Sequence, residues 1–163
     1  MRLIIAAIGK MRDGPEARLV EDYLERSQKL SRPLGLTGPQ LHEIDAPKSL
    51  SGKERRANEG AALLKAARSG KGDTVIVALD EHGDALTSNA LTTLIEKRRD
   101  TGASALAFLI GGADGHDETV MQAASKKIAF GPATWPHLLV RTMLTEQIYR
   151  SMTMLAGHPY HRS

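Results

Sequence analysis

Hydrophobic positions along the chain come in two alternating patterns. Runs that are apolar at consecutive positions occur at residues 3–8 (LIIAAI), 74–79 (TVIVAL) and 105–110 (ALAFLI). Such runs predict strands covered on both faces. Between them apolar residues recur at helical spacing. Pro15 sits where a helix begins, followed by Ala17, Val20, Tyr23 and Leu24. A break at residues 35–39 precedes a short second strand around Leu41 and Ile44. Ser51 with Glu54 makes a capping box that opens a helix to about Ser69, although residues 48–58 are the most loop-like stretch of the chain. Residues 80–83 read as a turn, and Thr87 or Ser88 caps a helix through Leu91, Leu94 and Ile95 to Asp100. A helix near residues 118–126 and a short strand near 128–130 come next. A long last helix follows Pro136, carries Leu139, Met143, Ile148 and Met152, and stops at Gly157 and Pro159.

Buried-type strands alternating with amphipathic helices predict an α/β fold, a mostly parallel sheet with helices on both faces. The 163 residues suit one domain, residues 1–163, and no repeat or linker interrupts them. No apolar run is long enough to span a bilayer. The apolar start is short and lacks a cleavage site, so it reads as a strand and not as a leader. With no cysteine, disulfide scaffolds, thiolate metal sites and cysteine nucleophiles are excluded, and the cytoplasm is the expected compartment. A net charge of +3 permits a nucleic-acid partner without demanding one. Aromatics at 4% are too few for a base-stacking platform, so any contact with RNA is made by a few pointed groups.

Four segments carry candidate chemistry. LIGGADG (109–115) puts a glycine pair directly after a strand, where the backbone turns sharply and approaches a ligand. It has neither the lysine of a P-loop nor the spacing of a dinucleotide fingerprint, and a plain tight turn is its simplest reading. VALDEHG (77–83) is a second strand end, with Asp80 and Glu81 able to hold a polar ligand or merely to cap a turn. FGPATWPHLLVR (130–141) is a stiff loop whose amides cannot all pair regularly. Trp135 is read as a candidate core residue, and His137 with Arg141 as one basic face at the helix entry. The tail GHPYHRS (157–163) offers a phenol, imidazoles and a guanidinium, groups suited to a phosphate or a base. Metal is not expected there, because no carboxylate or thiolate neighbours the histidines. The clusters at 53–56, 97–99 and 126–127 read singly as solvated helix surface.

Together, the strand ending in LD, IGGADG, TWPHLLVRTMLTEQIYR and the terminal HPYHR resemble the RlmH-type SPOUT methyltransferases, over nearly the whole chain. The middle of the glycine motif (Ala113-Asp114), the long segment 32–39 and the extra Ser163 depart slightly from the common pattern. The resemblance implies a SPOUT-type fold with a C-terminal trefoil knot, a feature no periodicity reveals. It implies S-adenosylmethionine held by Leu79, Gly111, Gly112 and the loop Phe130, Gly131, Pro132, Ala133, Thr134 and Trp135. It also implies a homodimer, a substrate in large-subunit ribosomal RNA or the assembled ribosome, and methylation at N3 of a pseudouridine. Tyr160, His161, Arg162 and Arg141 are then the candidate catalytic residues: His161 as base, the two arginines as charge stabilisers, Tyr160 as orienter. No metal is needed. A non-catalytic RNA-binding protein on the same fold, and an enzyme with another nucleotide ligand, are the competing readings.

Overall fold

The computed structural model describes residues 1–45 and 52–160. Its strands are β1 (Arg2–Ile8), β2 (Thr37–Ile44), β3 (Thr74–Ala85), β4 (Ala105–Ile110) and β5 (Lys126–Ala129). Its helices are α1 (Pro15–Ser31), α2 (Gly52–Ala67), α3 (Ser88–Asp100), α4 (Glu118–Ala123) and α5 (His137–Leu155). The strands form one all-parallel sheet in the order β2-β1-β4-β3-β5.

Two hydrophobic layers follow from strand alternation. Leu3, Ile5, Leu106, Phe108 and Val77 face α1, α3 and α5, which bring Leu91, Ile95, Leu144, Ile148 and Met152. Ile4, Ala6, Ala107, Leu109 and Ile76 face α2 and α4, which bring Leu63, Leu64 and Val120. The central strand β4 is buried at every position, as its unbroken apolar run requires. Thr87 is the cap of α3, accepting a hydrogen bond from the Ala90 amide at 3.1 Å. The proposed cap at Ser51 lies outside the described residues.

Three elements differ from the sequence reading. Strand β2 starts at Thr37 and runs through Pro39; it is an edge strand, where a missing ladder donor is tolerated. The helix expected from the capping box is present as α2, which begins at Gly52 and takes in the charged stretch. Strand β3 does not end at Leu79. Ile128 of β5 pairs with both Leu79 and Asp84, so residues 80–83 bulge out and the strand resumes. Helix α4 stops at Ala123, because the Ser125 amide and hydroxyl both bond to the Ile76 carbonyl and pull the chain into β5.

Candidate active site

The carboxyl ends of β3, β4 and β5 open into one cavity of about 780 Å³, inside the range of roughly 300–1,000 Å³ typical of small-molecule sites. Leu79, Gly111, Gly112, Phe130, Gly131, Ala133, Thr134 and Trp135 all line it. Pro132 belongs to the same loop but is not part of the lining. Residues from three separate strand ends, read singly as turns, therefore converge on one space.

Each wall has a local cause. A Cβ on Gly111 would lie 3.1 Å from the Gly115 backbone and 3.3 Å from the His116 ring, so only glycine leaves the turn closed. The Gly115 amide bonds back to the Gly112 carbonyl at 3.1 Å. In the loop after β5, Gly131 turns the chain with φ of 97°. Among the described residues, the amides of Gly131, Ala133, Thr134 and Trp135 have no hydrogen-bond partner. Trp135 is not a core residue: it is 43% exposed, and its indole N–H donates to the Phe130 carbonyl at 3.3 Å. Across the cavity the Thr134 hydroxyl donates to Glu81 at 3.2 Å, joining the β3 bulge to this loop.

Several participants carry no distinct sequence signal. His116 Nε2 bonds to the Leu79 carbonyl at 3.1 Å, which tethers the end of β3 to the glycine turn. Burial pushes this imidazole below its ordinary pKa, so it is a neutral donor. Arg55 of α2 pairs with Asp114 at 2.9 Å and pins the turn from the other side. Glu59, also on α2, is 4% exposed and makes no hydrogen bond among the described residues. Burial raises its carboxyl pKa, Arg55 and His137 lower it, and Asp114 adds to the rise. A charged helix sequence hides such a residue among solvated neighbours. His116 follows GGADG directly, and that position is its one sequence cue.

The two candidate catalytic residues that are described, Arg141 and Tyr160, do not line this cavity. Arg141 is not on a basic surface shared with His137; it is fully buried while His137 is exposed. Its guanidinium reaches the end of β1, with Glu43 at 2.6 Å and the Ile8 and Gly9 carbonyls at 3.1 Å. Tyr160 packs edge-on against Tyr149 and donates to Glu146 at 3.2 Å, with Arg150 over its ring. Burial, first, and its acidic and phenolic neighbours raise the Tyr160 pKa, so the phenol stays protonated. His161 and Arg162 lie outside the described residues.

A family model described as "Predicted SPOUT methyltransferase" matches residues 1–161. The chain belongs to the SPOUT methyltransferase family. Full-length relatives within it carry the name ribosomal RNA large subunit methyltransferase H. The protein from Xanthobacter autotrophicus is 47% identical over 163 residues, all of both chains. That from Methylobacterium nodulans is 46% identical, covering 99% of this chain and 98% of its own. That from a Bradyrhizobium species is 44% identical, covering 100% and 99%. As a SPOUT methyltransferase the chain requires a methyl donor, and the glycine-walled cavity is the pocket suited to one. No helix among the described residues is long and apolar enough to cross a membrane.

Proposed function

We infer that this protein methylates RNA of the large ribosomal subunit, with S-adenosylmethionine as donor and N3 of a pseudouridine as acceptor. The observation that carries this reading is the cavity at the ends of β3, β4 and β5, in a chain 44–47% identical over its length to proteins named for that RNA. The lining suits the donor: unpaired loop amides for an adenine edge, Leu79 as an apolar wall, and glycines that admit close approach. S-adenosylmethionine supplies a sulfonium methyl, reactive enough that the protein's main task is positioning. His161 and Arg162 are assigned to the nucleotide, and Tyr160, anchored by Glu146, orients them. Arg141 is assigned to charge developing on the base.

The SPOUT knot is assigned to the loops after β3, β4 and β5, which meet at the cavity. The protein is assigned a homodimeric state, with Leu19, Trp135 and Leu139 in the contact; among the described residues these are the large apolar side chains left exposed, at 46%, 43% and 38%. Ile148 and Met152 of the same last helix belong to the core and not to this surface. A ribosomal substrate goes with a cytoplasmic location.

The test is labelled methyl transfer to ribosomes from a strain lacking the modification, followed by mapping of the base. Label at N3 of one large-subunit pseudouridine is the expected result. S-adenosylmethionine binding by calorimetry with no transfer would instead favour the non-catalytic reading.

A further inference from the structure

A second cavity, of about 520 Å³, lies beside the first and shares Gly112, Ala113 and His137 with it. Its position has a topological cause. Strands β1 and β4 are parallel neighbours, but the chain leaves β1 for α1 on one face of the sheet and leaves β4 for α4 on the other. The loops separate there, and in open α/β sheets such a switch point is where ligands bind.

Two buried groups in this crevice have unmet hydrogen-bonding capacity. Glu59 is 4% exposed and its Oε2 has no partner among the described residues. Arg141 is fully buried, with its terminal nitrogens held by Glu43 and the end of β1, yet its Nε–H has no partner among the described residues. Orphaned buried polar atoms are rare and point to a missing ligand. Here they are one acceptor and one donor, complementary to an N–H beside a carbonyl, the imide edge of a uracil-type base. At the mouth Lys10 is paired with Asp45, whereas Arg12 is exposed without a side-chain partner among the described residues, as a phosphate contact requires.

We propose that this crevice receives the target base, with Glu59 accepting the hydrogen bond of the ring N–H and Arg141 Nε donating to the adjacent carbonyl. This rests on the RNA-methylating reading above. As the base reacts, the N–H proton passes to Glu59 Oε2. The freed nitrogen pair forms the bond to the methyl carbon, and the carbon–sulfur pair leaves with sulfur. Glu59 thus takes the role the sequence suggests for His161. Its raised pKa brings it nearer the imide and favours transfer. The charged or titratable groups around it are Arg55, Asp114 and His137, with Lys10, Arg12, Asp13, Glu16 and Arg141 elsewhere in the crevice.

The experiment compares full-length wild type, Glu59→Gln and Arg12→Glu. It uses large subunits from a strain lacking the modification, and measures S-adenosylmethionine affinity, subunit affinity without the donor, and kcat against pH. Glu59→Gln should keep donor affinity within about twofold, lose about 100-fold or more in kcat, and lose the acidic limb of the pH profile. Arg12→Glu should weaken subunit affinity by about tenfold without the donor, less at high salt. A wild-type rate and pH profile in Glu59→Gln overturns the proposal. So does weakened donor binding, which would move Glu59 to the donor cavity. Should Glu59→Gln fail to fold, Arg12→Glu decides: unchanged subunit affinity overturns the crevice, and a loss supports it. Wild type that transfers no methyl group overturns the RNA-methylating reading itself.

Discussion

Glu59 also leaves a mark on stability. Its raised pKa means that the native state retains a proton which the unfolded chain releases above its ordinary value of 4.5. Stability is therefore lost as pH rises through the native value and is fully present below 4.5. Glu59→Gln removes that titration. The variant should melt about 2–4 °C above wild type at pH 8 for each kcal/mol recovered, and match it near pH 4; calorimetric melts across pH check this. Gly111→Val acts through space, not backbone strain, since its φ is not positive. The side chain would crowd Gly115 and His116, and donor affinity should fall about tenfold or more while the chain stays folded. Calorimetry of the folded variant reads this, and unchanged affinity would remove Gly111 from the site. The two glycines are legible in sequence because a glycine pair directly after a buried strand marks a sharp turn at the carboxyl end of the sheet, where ligands bind. Glu59 and Arg141 are not. A charged residue on a helix looks the same whether it faces water or the end of a strand, and only α2 and α5 packing on the sheet decides which.

Among the elements, β4 is legible to the residue because its neighbours on both sides are apolar and its ends are fixed by Ser104 and Gly111. β3 is not legible past Leu79. Its continuation depends on β5, a partner about forty residues away, and local turn chemistry cannot report that. The tail lies beyond the helix stop at Gly157, yet Tyr160 is half-buried on Tyr149 and joined to Glu146. The informative truncation therefore stops short of it. Removing residues 161–163 should abolish methyl transfer and leave donor affinity and thermal midpoint unchanged. Removing residues 160–163 should lower the midpoint as well, by exposing Tyr149 and removing the phenol's bond to Glu146. Side-by-side melts and methylation rates check both, and a short truncation that keeps most of its activity refutes the role of the tail.

For the whole molecule, the exposed apolar trio and the small positive charge bear on assembly and on RNA. Leu139→Asp combined with Leu19→Asp should convert a dimer to a monomer in sedimentation at micromolar concentration, since a charge in an apolar contact is left unpaired. A wild type that sediments as a monomer would exclude the dimer directly. The strand order has a different consequence, for synthesis. β1 and β3 are made first, but the strand that joins them is β4, and α5 then closes over α1 and α3. A nascent chain of about 100 residues therefore holds the β2-β1 pair and a lone β3, with no shared neighbour. The sheet stays open between them until residue 110 and then α5 leave the ribosome tunnel. Arrested chains of that length should be cut readily by protease, whereas chains with the whole sequence clear of the tunnel should resist it. The sheet and its helices become one body only after β4 and α5 have both emerged.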